Sequence, residues 1–228
     1  MLALVQKNGM ALYFASEELK GDKAVVLAAV QKNGVALQVA SAALKGDKAV
    51  VKAAVRQNGL ALQFASAALR GDREVVLAAR QQDRRALMYA SRDLVLEAVK
   101  QNGHALYFAS EELRADREVV LAAVKQDGRA LQVASDHLKG DKAVVKATVT
   151  QNGRALQFAS DHLKGDKEVV MAAESGWALK FASRDLVLAA VQWNGMSLQY
   201  ASAALHDDRE VVLAAVRKDG YALQFASA

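Results

Sequence analysis

Serine is the first side chain to weigh as a nucleophile, because it recurs as Ser16, Ser41, Ser66, Ser91, Ser110, Ser135, Ser160, Ser183, Ser202 and Ser227, each after an alanine. A catalytic serine is needed once, in a unique environment beside a base. Ten equivalent copies point to structure. The small Ala-Ser pair lets helices approach, and the hydroxyl is expected to bond a carbonyl one turn back. His104, His137, His162 and His206 are the candidate metal ligands, and His137 and His162 lie one period apart. Equivalent positions on stacked helices sit ~8 to 10 Å apart, whereas zinc ligands lie ~2 Å from the ion. Surface histidines are the better reading, and no metal or cofactor is expected. Arg70-Gly71-Asp72 spells an adhesion tripeptide, but Asp72 stands where a helix N-cap is needed, which argues against that use.

Two further groups concern binding. Basic residues flank each cap aspartate: Lys20/Lys23, Lys45/Lys48, Arg70/Arg73, Arg114/Arg117, Lys139/Lys142, Lys164/Lys167 and His206/Arg209. A phosphate backbone could follow such a ridge. The cap aspartates and residues such as Glu17, Glu74, Glu118 and Glu168 interleave with it, so a solvated edge of mixed sign is expected and nucleic-acid binding is disfavoured. The position after the turn glycine varies more sharply, reading Met10, Val35, Leu60, Arg85, His104, Arg129, Arg154, Trp177, Met196, Tyr221. Repeat proteins bind through variable columns on a fixed frame, and Arg and Trp are favoured hot-spot types. The candidate binding column is therefore Arg85, His104, Arg129, Arg154 and Trp177, facing an acidic or anionic partner. Trp193 also stands out, at a position otherwise held by Lys or Gln.

The elements that must position these residues follow from a repeat. The string ALQFAS or a near variant begins at Ala11, Ala36, Ala61, Ala86, Ala105, Ala130, Ala155, Ala178, Ser197 and Ala222, mostly 25 residues apart, with two 19-residue steps. In residues 22–46, Asp22 is an N-cap and Val25, Val26, Ala29 and Val30 share a helical face. Asn33-Gly34 is expected to end that helix through a left-handed residue. Leu37, Ala40 and Leu44 then mark a second helix, so each unit reads as a hairpin of two helices of about ten residues. Helices that short need their neighbours. The fold class expected is all-α, an α-solenoid of about ten short helical hairpins, roughly 70 to 90 Å long.

A larger period sits above this one. Asp47-Lys-Ala-Val-Val-Lys matches Asp141-Lys-Ala-Val-Val-Lys, and Ser91-Arg-Asp-Leu-Val-Leu matches Ser183-Arg-Asp-Leu-Val-Leu. Residues 1–228 thus read as one elongated repeat domain, with four-hairpin blocks 1–94 and 95–186 and a partial third block 187–228. After Ser91 and Ser183 the usual turn is missing, so a bend or fused helix is expected there.

The run DREVVLAAVKQDGRALQVASDHLKGDKAVV, residues 116–145, resembles the repeats of the family called domain of unknown function 4116, and the similarity extends over essentially the whole chain. The resemblance implies tandem repeats and attaches no activity or catalytic residues. The chain departs from the pattern at the two short links, at residues 173–177 where VxQNG is expected, and at Asp83-Arg84. The last change removes the glycine and puts that helix end in question.

Composition narrows the classes further. There is no Cys, hence no disulfide framework or thiol nucleophile, and no Pro where average usage of about 5% would give roughly eleven, which favours helices with short turns. The net charge of +5 only weakly favours an acidic partner. No signal peptide or membrane span is seen, so cytoplasmic is the default location. The expected role is a non-enzymatic scaffold for protein or other macromolecular interaction. The alternative is a structural subunit assembling head to tail through its ends into a filament.

Overall fold

The computed structural model describes residues 1–173 and 176–227. Glu174 and Ser175, within the divergent stretch 173–177, and Ala228 lie outside the described residues. The chain is all-α: short helical hairpins of about 25 residues repeat in a solenoid-like arrangement, with no strand among the described residues. It forms two compact units, one of residues 1–98 with 107–113, the other of residues 99–106 with 114–228.

One repeat of the first unit shows how the sequence builds the frame. Asp47 caps the helix Lys48–Gln57, its carboxylate accepting from the N–H groups of Ala49 at 2.9 Å and Val50 at 3.1 Å. Val50, Val51, Ala54 and Val55 form its buried face, each fully enclosed. Full burial of one such valine is worth about 1.5 to 3 kcal/mol. That offsets the poor helix propensity of β-branched residues, so neighbouring repeats, rather than the helix alone, hold the segment.

The end of this helix differs from expectation. No residue among those described has a positive φ. Asn58 is extended, with φ −147° and ψ 109°, and its side chain accepts from the Leu60 N–H at 3.0 Å. It closes one helix and caps the next. Gly59 is required by its neighbour: a Cβ there would lie 2.4 Å from the Ala79 carbonyl oxygen of the following repeat. Gly34 meets Ala54 O in the same way, also at 2.4 Å.

The second arm is also not one helix of ten residues. It is the 3-10 helix Gly59–Phe64, an extended Ala65-Ser66 step, and the four-residue helix Ala67–Arg70. Ser66 N–H donates to the Lys45 carbonyl of the preceding repeat at 2.9 Å, satisfying a carbonyl that a helix end leaves open. The same bond joins Ser41 to Lys20 and Ser91 to Arg70 in this unit. In the other unit it joins Ser135 to Arg114, Ser160 to Lys139, and Ser183 to Lys164. The break in the arm is therefore where repeats are stitched together. The Ser66 hydroxyl does not reach back to a carbonyl; it accepts weakly from Leu69 N–H at 3.4 Å. Bonds of that kind are made instead by threonines, Thr148 donating to Val144 O at 2.7 Å and Thr150 to Lys146 O at 2.9 Å.

At the short links the fused-helix alternative is the one observed. The helices Arg92–Gln101 and Arg184–Trp193 begin directly after Ser91 and Ser183, and the serine carbonyls accept from Val95 and Val187, each at 3.1 Å. Asp83-Arg84 leaves its helix end unchanged. Arg73–Gln82 finishes at Asp83 with φ −149°, and Asp83 accepts from Arg85 N–H at 2.9 Å. The glycine answers to a carbonyl in the next repeat, and Arg84, standing before a short link, is exposed. Gly176, before the other link, faces the Tyr200 ring instead of a carbonyl.

Candidate binding surface

The variable column owes its tolerance to the cap beneath it. Where the turn carries Asn or Asp, its side chain holds the backbone N–H of the column residue, as Asn102 does for His104 at 3.0 Å and Asn152 for Arg154 at 3.1 Å. The backbone is fixed and the side chain projects outward. Arg85, His104, Arg129, Arg154 and Trp177 are all exposed.

The five candidates are not equivalent. Arg85, in the first unit, is clamped by Asp83 of its own turn, Nε and Nη2 lying 3.0 and 2.7 Å from Asp83 Oδ2. That guanidinium holds the Asp83 carboxyl below the usual carboxylate range. In the second unit Arg129 and Arg154 line one groove of about 410 Å³ with Asn152, Gln157 and Phe158. The Arg154 guanidinium lies 4.3 Å from the centre of the Trp177 ring, a cation–π contact. Trp177 in turn meets Tyr200 edge to face, centroids 6.1 Å apart. Arg154 has no carboxylate partner among the described residues. Tyr200 was missed in the sequence, although it replaces the Phe of the ALQF string.

The charged edge has a different order. At several junctions the basic residue that opens a long helix reaches the cap aspartate of the next repeat: Lys48 to Asp72 at 2.8 Å, Arg117 to Asp141 at 3.1 Å, Lys142 to Asp166 at 2.8 Å, and Arg184, which follows Ser183, to Asp208 at 2.7 Å. Arg184 and the capped N–H groups pull the Asp208 carboxyl down to about 2. Such exposed pairs add little stability individually. They do neutralise the ridge that a phosphate backbone would need. Asp72 is occupied as cap and ion-pair partner, accepting from Val75 N–H at 3.1 Å, which accounts for the adhesion-like tripeptide as a turn.

Among the described residues no group of three His, Asp or Glu side chains is arranged to hold a metal. His162 Nδ1 pairs with Ser160 Oγ at 3.0 Å, and His206 Nε2 meets the Leu198 carbonyl at 2.8 Å. No helix among the described residues is long and apolar enough to cross a membrane.

Neither a curated protein nor a solved structure matches the chain. A family model described as Domain of unknown function (DUF4116) matches residues 1–45, 47–94, 91–139, 141–186 and 183–228. Each match spans about two hairpins, and successive matches share residues 91–94 and 183–186, where one fused helix closes one unit and opens the next. With matches running nearly end to end, the chain belongs to the DUF4116 family, as a tandem array of its repeats.

Proposed function

We propose that this chain is a non-enzymatic repeat scaffold that holds an acidic partner segment across the surface of Arg129, Arg154 and Trp177. The observation that carries this reading is Arg154: exposed, oriented on an indole face and, among the described residues, without a carboxylate, while Arg85 and edge cations such as Lys48 and Lys142 have theirs. A guanidinium already held in place loses less freedom when a carboxylate arrives. The equivalent serines serve as repeat junctions, which supports a role without catalysis.

Selection of peptides from a random display library on the full chain tests the proposal. Enriched peptides should be acidic, and an Arg129→Ala, Arg154→Ala double variant should bind them at least tenfold more weakly while keeping its helical circular dichroism. Binders without acidic character, or binding that the double variant retains, would contradict it.

A second reading, head-to-tail assembly, is favoured by Leu223, which is 61% exposed. Leu131, Leu156 and Leu198, the counterparts of Leu223, are fully buried. That face accepts a further repeat, from the same chain or from another copy. Sedimentation velocity over a concentration series, with Leu223→Asp as control, tests it: self-association abolished by the variant supports assembly, and a monomer throughout excludes it.

A further inference from the structure

The second short link holds a cavity of about 560 Å³ that the variable column does not line. Its origin is readable from the chain. Ten residues separate Asp166 from Gly176, against twelve from Asp116 to Gly128 and from Asp141 to Gly153. The helix Lys167–Met171 accordingly has five residues where its counterparts Arg117–Gln126 and Lys142–Gln151 have ten. The sequence here has no valine to match the buried Val124 and Val149, and a space lined by Val170, Met171, Leu179, Leu186 and Trp193 lies beside the shortened helix. Met171 and Trp193 at its rim are 71% and 85% exposed.

Lys167 is the one cation among the residues lining this space, and apart from it and Ser197 their side chains are apolar. It occupies the ladder position that pairs with the next repeat everywhere else the link can be followed within one unit. In the first unit Arg73 crosses the short link to Glu97 at 2.6 Å. The residue aligned with Glu97 after Ser183 is Ala189, which also lines the cavity. Lys167 therefore has no ion-pair partner among the described residues. The apolar space thus lies beside a helix of five residues, and alanine stands at 189 where the first link has Glu97.

We propose that this cavity binds a small amphiphile with a carboxylate head on an apolar body, the head pairing with Lys167 where Glu97 pairs with Arg73, and the body lying against Val170, Leu186 and Trp193. The volume lies within the roughly 300 to 1,000 Å³ usual for small-ligand sites. A carboxylate is the head group favoured, because the same ladder position accepts one from within the chain at every other junction described. Arg129, Arg154 and Trp177 are not among the residues that line it.

Decanoate is the probe and Trp193 the reporter, in a full-length Trp177→Phe background that leaves one indole. Decanoate below its micellar range should give a saturable change in Trp193 emission, and 1-decanol, without the charge, should bind about tenfold or more weakly. Lys167→Gln should weaken decanoate by a similar factor. Ala189→Glu, which installs the carboxylate that the first link already carries, should do the same without loss of helical signal. No saturable response, equal binding of decanol, or unchanged affinity in Ala189→Glu would each overturn the proposal.

Discussion

Replacing Gly59 by alanine separates two accounts of the Asn-Gly turn. If the glycine supplied a left-handed helix end, Gly59→Asn would be tolerated, since Asn also populates that region. The turn has no positive φ, and the demand comes from the next repeat: the new Cβ would lie 2.4 Å from Ala79 O and 3.0 Å from Asp83 N, both backbone atoms that cannot swing aside. Overpacking of this kind costs about 1 to 3 kcal/mol. At an unobstructed position with ordinary φ, Gly→Ala instead stabilises by about 0.4 to 1 kcal/mol through the unfolded chain. Gly220, at the same place in its own repeat, has nothing within 4 Å of a built Cβ and is the internal control. For a chain of this size about 2 to 4 °C of melting temperature accompanies each kcal/mol, so Gly59→Ala should lower the helical melting temperature by about 2 to 12 °C. Gly220→Ala should leave it unchanged or raise it slightly. Thermal unfolding followed at 222 nm provides the comparison. Equal effects at the two glycines, or a harmless Gly59→Asn, would refute the close-approach argument.

Other consequences concern caps and charges. Asp141→Ala should cost about 0.5 to 2 kcal/mol from the lost helix cap. Asp141→Asn, which keeps an acceptor for the Val144 N–H, should cost much less, and chemical denaturation of both variants distinguishes cap from charge. Asp208 titrates near 2 in the folded chain against an ordinary 3.8, so its contribution is fully present above pH 4 and is lost as pH falls toward 2. Asp47, Asp72, Asp141 and Asp166 are lowered in the same direction, and melting temperature should decline on acidification through that window while changing little between pH 5 and 7. A flat acid profile would count against the inter-repeat ladder. Arg184→Ala should raise the Asp208 titration toward the ordinary carboxylate value, measured by carboxyl chemical shifts.

The helical faces were readable because both their signals are local. Asp47 before Val50, Val51, Ala54 and Val55 fixes a start and a buried side within nine residues. Leu37, Ala40 and Leu44 were also correctly placed inside, yet their i, i+3, i+7 spacing suited a continuous helix as well as the broken arm observed. What breaks the arm is Ser41 N–H bonding Lys20 O in another repeat, a partner that local spacing does not reveal. Asn33-Gly34 was misread for the same reason, since a left-handed cap and a close approach call for the same dipeptide. The column at Arg129, Arg154 and Trp177 was visible as variation on a constant frame. Its separation from Arg85 was hidden in the adjacent Asp83, which could have been noticed as a carboxylate two residues away. The cavity at Lys167 required comparing Glu97 with Ala189 and knowing that Arg73 uses the former.

The central functional claim is that the Arg154 and Trp177 surface receives the partner. Amide hydrogen exchange of the full chain with and without a selected acidic peptide tests it most directly. Protection should concentrate in the 3-10 helices Gly128–Val133, Gly153–Phe158 and Gly176–Lys180. Protection confined to the ion-paired edge around Lys142 and Asp166, with these three segments unchanged, would contradict the account.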